Sequence, residues 1–314
     1  MRVHLKEKVR DYSIEGEMSC GALVAQMRRA GGFTAAKLAH ALEILEHMVR
    51  REECITFLSF PAALMATGCR GVFVEMVKRK MVDVIITTCG TVDHDLVRVR
   101  HPYYHGDFYM DDGALHRAGI HRLGNVLVPS EAYGKGLEDR LIPFFRSLWD
   151  EGMKGTTTAD LLRLAGERLG DESSLLYWCA KRDIPVIIPA LTDGAFGYHL
   201  WSFWQEHRDF VVDVLGDESL LADIVFSNKE TGALVAGGGV SKHHVLWWNQ
   251  FKDGLDYAVY ITTAVEYDGS LSGARVREAI SWGKVKEGAR RVTVEGDASL
   301  ILPLLYAALV ESLL

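Results

Sequence analysis

Lys284 closes the run Ala274-Arg275-Val276-Arg277-Glu278-Ala279-Ile280-Ser281-Trp282-Gly283-Lys284, where a helical pattern gives way to the strand-like residues 291–295. A lysine beside an indole, at the end of a helix and facing a sheet, can be partly desolvated. Desolvation disfavours the ammonium form, lowers the pKa and frees the amine lone pair, and such an amine attacks imine or carbonyl carbons. The same placement equally suits a structural cation set against the exposed carbonyls of a helix C-terminus. Local sequence leaves both readings open.

Other stretches carry chemistry of their own. Gly237-Gly238-Gly239 precedes Val240-Ser241-Lys242-His243-His244; glycines there let backbone N–H groups approach a phosphate or a flat ring, although the G-x-G-x-x-G spacing is absent. Thr87-Thr88-Cys89-Gly90-Thr91-Val92-Asp93-His94-Asp95 offers hydroxyls and then acids, suited to ribose hydroxyls, to an amine or to a simple helix cap. Asp193, Asp268, Glu278 and Asp297, with Tyr267 and Trp282, would suit a linear polycation if the fold brought them together. His94, His101, His105, Asp107, Asp111, Asp112, His116 and His121 are dense in metal-ligating types, yet match no metal-ligand spacing. They read as a polar connection, and no metal site is assigned.

These stretches need elements to hold them. Short β-branched runs recur at 55–60, 82–88, 125–128, 184–190, 210–215, 233–236, 257–262 and 292–295. Most are apolar on both faces, as strands covered by helices on each side must be. Helical patterns lie between them at 35–50, 71–80, 137–151, 158–169, 173–181 and 276–282, and the apolar 299–314 reads as a core helix. Such alternation predicts an α/β fold, a doubly wound and mostly parallel sheet with helices on both faces. Residues 1–50 are expected to form an N-terminal helical arm packed on a single domain spanning 51–314. Ligands of open α/β sheets bind beyond the carboxyl ends of the strands, so the residues just after each strand are the ones to watch.

Composition sets the bounds. A net charge of −7, with 35 basic and 42 acidic residues, disfavours nucleic-acid binding and mildly favours cationic ligands. Five cysteines (Cys20, Cys54, Cys69, Cys89, Cys179) without a C-x-x-C pair fit a reducing cytoplasm. The first ten residues lack an apolar signal-peptide core, and residues 299–314 fall short of the roughly 20 apolar residues of a membrane helix.

Taken together, Gly237–His244, Asp256–Ala264, Asp268–Arg275, Ser281-Trp282-Gly283-Lys284 and Asp297-Ala298-Ser299 resemble deoxyhypusine synthase. Met81–Thr88, Leu127–Ser130 and Pro189–Gly194 extend the resemblance upstream, in order, so that it runs from about Cys54 to the C-terminus. The resemblance implies a Rossmann-like NAD-binding fold and a homotetramer with active sites between paired subunits. It implies NAD-dependent transfer of the aminobutyl group of spermidine to one lysine of the precursor of the hypusine-containing translation initiation factor. By the same resemblance Lys284 is the covalent carrier and His243 binds the amine and helps move its proton. Asp93, His94, Asp268, Gly269, Ser270, Glu278 and Trp282 match substrate-binding positions. Thr88, Cys89, Gly90, Asp193, Gly238, Thr263, Ala264, Asp297 and Ala298 match NAD contacts.

The chain departs from the family pattern at several points. The usual Thr-Ala-Gly-Gly-Val-Glu-Glu-Asp becomes Thr88-Cys89-Gly90-Thr91-Val92-Asp93-His94-Asp95. Leu271 and Tyr198 stand where eukaryotic members carry aspartates, and Ala62-Ala63 replace a Ser-Asn pair. Archaeal-type members look similar at several of these points. Lost carboxylates bear on the amine donor and leave agmatine, a shorter diamine or a homospermidine-type transfer to a free diamine as alternatives; an inactive NAD-binding paralogue is the alternative outside catalysis.

Overall fold

The computed structural model describes residues 7–314. In chain order it begins with α1 (Cys20–Ala30), α2 (Phe33–Arg50), β1 (Cys54–Phe60), α3 (Cys69–Lys78), β2 (Val84–Thr87) and α4 (Cys89–Arg98). Next come β3 (Tyr104–His105), α5 (Asp112–Arg117), β4 (Ile120–Leu123), β5 (Val126–Pro129), α6 (Ser130–Tyr133) and α7 (Lys135–Asp150). Then follow β6 (Gly155–Thr157), α8 (Thr158–Leu169), α9 (Leu175–Arg182), β7 (Val186–Ile187), α10 (Ala195–Glu206), β8 (Val211–Asp213) and α11 (Val214–Ser227). The last elements are β9 (Glu230–Ala236), α12 (Val240–Gln250), β10 (Leu255–Thr262), α13 (Glu278–Ser281), β11 (Val285–Glu295) and α14 (Ala298–Leu313).

Six strands form one parallel sheet in the order β11-β10-β9-β1-β2-β7. Successive residues serve opposite faces: Phe57, Ala233, Val235, Ala258 and Tyr260 pack with α11 and α12. Leu58, Phe60, Leu234, Val259 and Ile261 pack in the larger cluster with α2, α3 and α14. Burial on both faces explains why these strands read as unbroken apolar runs. α2 delivers Leu38, Ala41, Ile44, Leu45 and Met48 to that same cluster, while Met1–Lys6 lie outside the described residues. From β1 the chain moves outward to β2 and β7, then returns to β9 on the other side of β1 and proceeds to β10 and β11. The reversal between β1 and β9 opens a crevice at their carboxyl ends, where doubly wound sheets bind ligands.

Two expected strands lie outside the main sheet. Residues 126–129 pair antiparallel with β4 across the tight Gly124-Asn125 turn, in which Gly124 takes φ +61°, and β3 adds to the other edge. Residues 211–213 pair with β6 in a two-stranded ribbon. The run at 184–190 shortens to Val186–Ile187 because Pro185 and Pro189 bracket it and cannot donate to a ladder.

Three buried aspartates hold helices to one another. Asp93 accepts from Ala195 and Phe196 N–H at the start of α10, Asp95 from Leu175 and Leu176 at the start of α9, and Asp217 from Thr158 and Ala159 at the start of α8. Each carboxylate satisfies helix N–H groups that have no intrahelical partner and meets the positive end of the dipole. Arg70 additionally pairs with Asp95 at 2.8 Å. Among the described residues no helix is long and apolar enough to cross a membrane.

Candidate active site

The crevice is built largely from backbone. After β9, Gly237 and Gly239 take φ +78° and +80°, conformations that side chains rarely adopt. Between them, a Cβ on Gly238 would fall 2.4 Å from the Cα of Ser272. α12 and α4 both begin here, and their N-cap residues, Gly239 and Thr88, make no side-chain cap bond. Apart from Thr91 N, which donates to Thr88 O at 3.0 Å, the first N–H groups of these helices have no side-chain cap and could meet an anion at the positive ends of the two helices. Thr88 Oγ1 accepts from Ala62 N at 3.2 Å, joining the ends of β1 and β2.

Because the strands are parallel, the expected cofactor residues share one rim. Thr88, Cys89 and Gly90 follow β2, Asp193 follows β7, Gly238 follows β9, Thr263 and Ala264 follow β10, and Asp297 and Ala298 follow β11. Burial pushes the Cys89 thiol up to about 12, so it serves as a small packing group and not as a nucleophile. Asp297 caps α14 through Ser299 N–H. Uncapped helix starts and glycine-thinned backbone suit an anionic, flat ligand such as a dinucleotide, and Asp193 and Asp297 are exposed on the same rim, where they could accept from hydroxyls.

Lys284 lies elsewhere. It immediately precedes Val285, which pairs with Leu255, the first residue of β10, so its backbone sits at the opposite end of the sheet from that rim. α13 spans only four residues, and Gly283, at φ +68°, turns the chain before Lys284. Lys284 N donates to Ala279 O (2.9 Å), and its carbonyl accepts from Leu255 N (3.1 Å). Gly254, at φ +94°, packs so tightly here that a Cβ would lie 2.7 Å from Val285 N.

From this fixed base the side chain enters a cavity of about 410 Å³ between α12 and the segment 271–284. His243, Trp247, Tyr260, Leu271, Glu278 and Trp282 are among its lining residues. Lys284 Nζ stands 5.2 Å from the Trp282 ring centroid. Burial, together with the positive charge of Lys284, lowers the His243 pKa, keeping the imidazole neutral and able to accept a proton.

Sequence reasoning missed Lys242. It is 1% exposed, and its ammonium donates to the Leu271 and Ala274 carbonyls, both at 2.7 Å, and lies 4.4 Å from the Tyr260 ring centroid. Burial lowers its pKa to about 8, with Glu278 opposing and Arg275 reinforcing the shift. The segment it grips is also held by Thr262 Oγ1, which donates to Ser272 O at 2.9 Å. Residues 271–274 thus wall the Lys284 cavity on one side and press against Gly238 on the other. The one available signal was position: the early turns of a helix after a glycine run place Lys242 and His243 on adjacent faces.

Of the expected substrate residues, Glu278 and Trp282 line the Lys284 cavity. Asp93 does not; its carboxylate accepts from two helix N–H groups and from Tyr133 Oη at 2.9 Å. His94 hydrogen-bonds Tyr103 Oη through Nδ1 at 2.8 Å, and burial lowers its pKa to about 4, so it is neutral where the family pattern has a carboxylate. Asp268, Gly269 and Ser270 form an exposed turn, with Ser270 N donating to Asp268 Oδ1 at 2.7 Å. The histidines of the 94–121 stretch are spread over α4, α5, β3, β4 and the connections between them, and among the described residues no three His, Cys, Asp or Glu side chains converge to hold a metal.

The family model for deoxyhypusine synthase matches residues 22–309. The protein named "Probable deoxyhypusine synthase" in Thermoplasma acidophilum is 52% identical over 303 residues, covering 96% of this chain and 97% of its own. Its namesake in Ignicoccus hospitalis is 48% identical over 308 residues, covering 96% and 95%. Among solved structures, the fold is similar to "Crystal Structure of a putative deoxyhypusine synthase from Entamoeba histolytica", with a TM-score of 0.67, 24% identity and 96% of each chain covered.

Proposed function

The chain belongs to the deoxyhypusine synthase family, and on that premise we propose that it is an NAD-dependent transferase. It moves the aminobutyl group of spermidine through Lys284 to one lysine of the hypusine-containing initiation factor precursor. The observation that carries this reading is the convergence of Lys284, His243, Glu278 and Trp282 on one cavity whose wall also touches the glycine crevice.

Thr88, Cys89, Gly90, Asp193, Gly238, Thr263, Ala264, Asp297 and Ala298 would hold NAD, which supplies hydride removal and return. Glu278 pairs with an ammonium of the donor, and the Trp282 face takes a second cationic contact. His243, neutral, accepts a proton from the incoming amine and returns it to the departing one. Lys284 Nζ bonds to the oxidised carbon while the carbon–nitrogen bond to 1,3-diaminopropane breaks, leaving the butyl group on Lys284 as an imine. The acceptor lysine then displaces Lys284 in the same manner. The exposed Asp268 turn, with Tyr267 91% exposed, is free to complete the site of a second copy, in keeping with a homotetramer whose active sites lie between paired subunits.

Borohydride trapping tests the assignment: with NAD and spermidine, the peptide containing Lys284 gains an aminobutyl group, and Lys284→Ala abolishes both adduct and transfer. Full transfer by Lys284→Ala refutes it. The apolar Leu271 in the cavity wall favours a second reading, a donor with fewer charges or a free-diamine acceptor. Offering spermidine, agmatine and putrescine together, with and without the factor, and weighing the products separates the two.

A further inference from the structure

We infer that Trp247 is a specificity-determining residue of the amine cavity, its indole face binding an ammonium group of the aliphatic polyamine donor. The inference rests on the amine-transfer reading of that cavity and adds a residue to which neither the motifs nor the resemblance assigns a role. Trp247 follows His243 by four residues on α12, so both project from one helix face into the same cavity. The imidazole and indole planes lie within 18° of parallel, with centroids 5.9 Å apart. Phe251, one turn further on, meets the indole edge-on at 5.4 Å and fixes its orientation. Even so, Trp247 remains 43% exposed, a large flat surface left open beside a cavity.

Charge in the cavity makes that surface useful. Its lining carries Lys242, Arg275 and Lys284 but a single carboxylate, Glu278. A polyamine brings two or three positive charges, more than one carboxylate can pair. Leu271 adds no charge, and the Lys242 ammonium is already committed to two carbonyls. Aromatic faces are the remaining partners for cations. Trp282, whose ring centroid lies 5.2 Å from Lys284 Nζ, supplies one such face for the donor, and Trp247 offers another on the α12 wall for the charge that Glu278 and Trp282 leave unmatched.

Calorimetric titration of the intact protein with spermidine tests this, with NADH present to fill the crevice without accepting a hydride. Trp247→Leu, similar in apolar character but lacking the π face, should raise Kd about five- to thirtyfold. Trp247→Phe, which keeps an aromatic face, should recover most of the affinity. Unchanged binding by Trp247→Leu overturns the proposal, as does Trp247→Phe binding no better than Trp247→Leu. Because the side chain is half-exposed, circular dichroism and unfolding of both variants should match the parent. Failure of the functional reading looks different: spermidine binds in a Trp247-dependent way but no adduct forms on Lys284. A parent protein that binds no spermidine overturns both.

Discussion

Replacing Lys242 with methionine sets two opposing terms against each other, and pH separates them. The substitution keeps most of the apolar stem and removes the group that donates to Leu271 O and Ala274 O. Losing a donor to two partly buried carbonyls costs about 1–3 kcal/mol each. Against this, the parent holds an ammonium out of water, which is why its pKa falls from 10.5 to about 8. That depression corresponds to about 3 kcal/mol of unfavourable charge burial below pH 8. Near pH 7 the two terms largely offset, so Lys242→Met should unfold within about 3 kcal/mol of the parent. Between pH 8 and 10.5 the native lysine has released its proton while the unfolded chain still holds one, so the parent gains stability as pH rises. The neutral amine keeps two N–H groups for its two carbonyls. Urea unfolding of both proteins from pH 7 to 10.5 should show their difference widening by about 3 kcal/mol, other titrating groups cancelling between them. A constant difference would show that the Lys242 ammonium is not desolvated in the folded protein.

Gly238→Ala should weaken NADH binding about tenfold or more, read by cofactor fluorescence, because a Cβ would lie within 2.4 Å of the Ser272 backbone; unaltered affinity would detach Gly238 from the crevice. Asp93→Ala strands two helix N–H groups and the Tyr133 hydroxyl, so it should lower unfolding stability by about 2–4 kcal/mol in urea, with Asp93→Asn intermediate. The imidazole of His94 should show no NMR titration from pH 8 down to 5.5, since its pKa is lowered to about 4. As pH falls from 6.5 toward 4 the unfolded chain takes up a proton that native His94 refuses, so stability declines over that window, and His94→Phe should flatten that part of the profile.

The sheet was readable wherever burial on both faces leaves an unbroken apolar run, as at 55–60 and 257–262. It was unreadable where the same residue types serve a small antiparallel unit: residues 126–129 differ from a core strand only in the Gly124-Asn125 turn before them. α10 and α12 went unrecognised because tryptophan, tyrosine and phenylalanine crowd their faces and blur the polar stripe that marks a helix. The residues implied by family motifs could be named because motifs carry order and spacing. What those residues touch could not be. Asp93 and Glu278 are alike as letters, yet one is bound to a helix start and the other faces the cavity. Lys242 and Lys284 likewise differ only in direction, one inward to carbonyls and the other toward an indole.

Residues 271–274 have a thermodynamic consequence. They are pinned by Lys242 and Thr262, face the Lys284 cavity and abut Gly238. One short wall therefore serves two compartments. Whatever settles it from one side lowers the ordering cost of binding on the other, and linkage makes the benefit mutual: dinucleotide should tighten amine binding by the same factor that amine tightens dinucleotide. On the proposed reaction, such coupling would retain each reactant chiefly in the presence of the other.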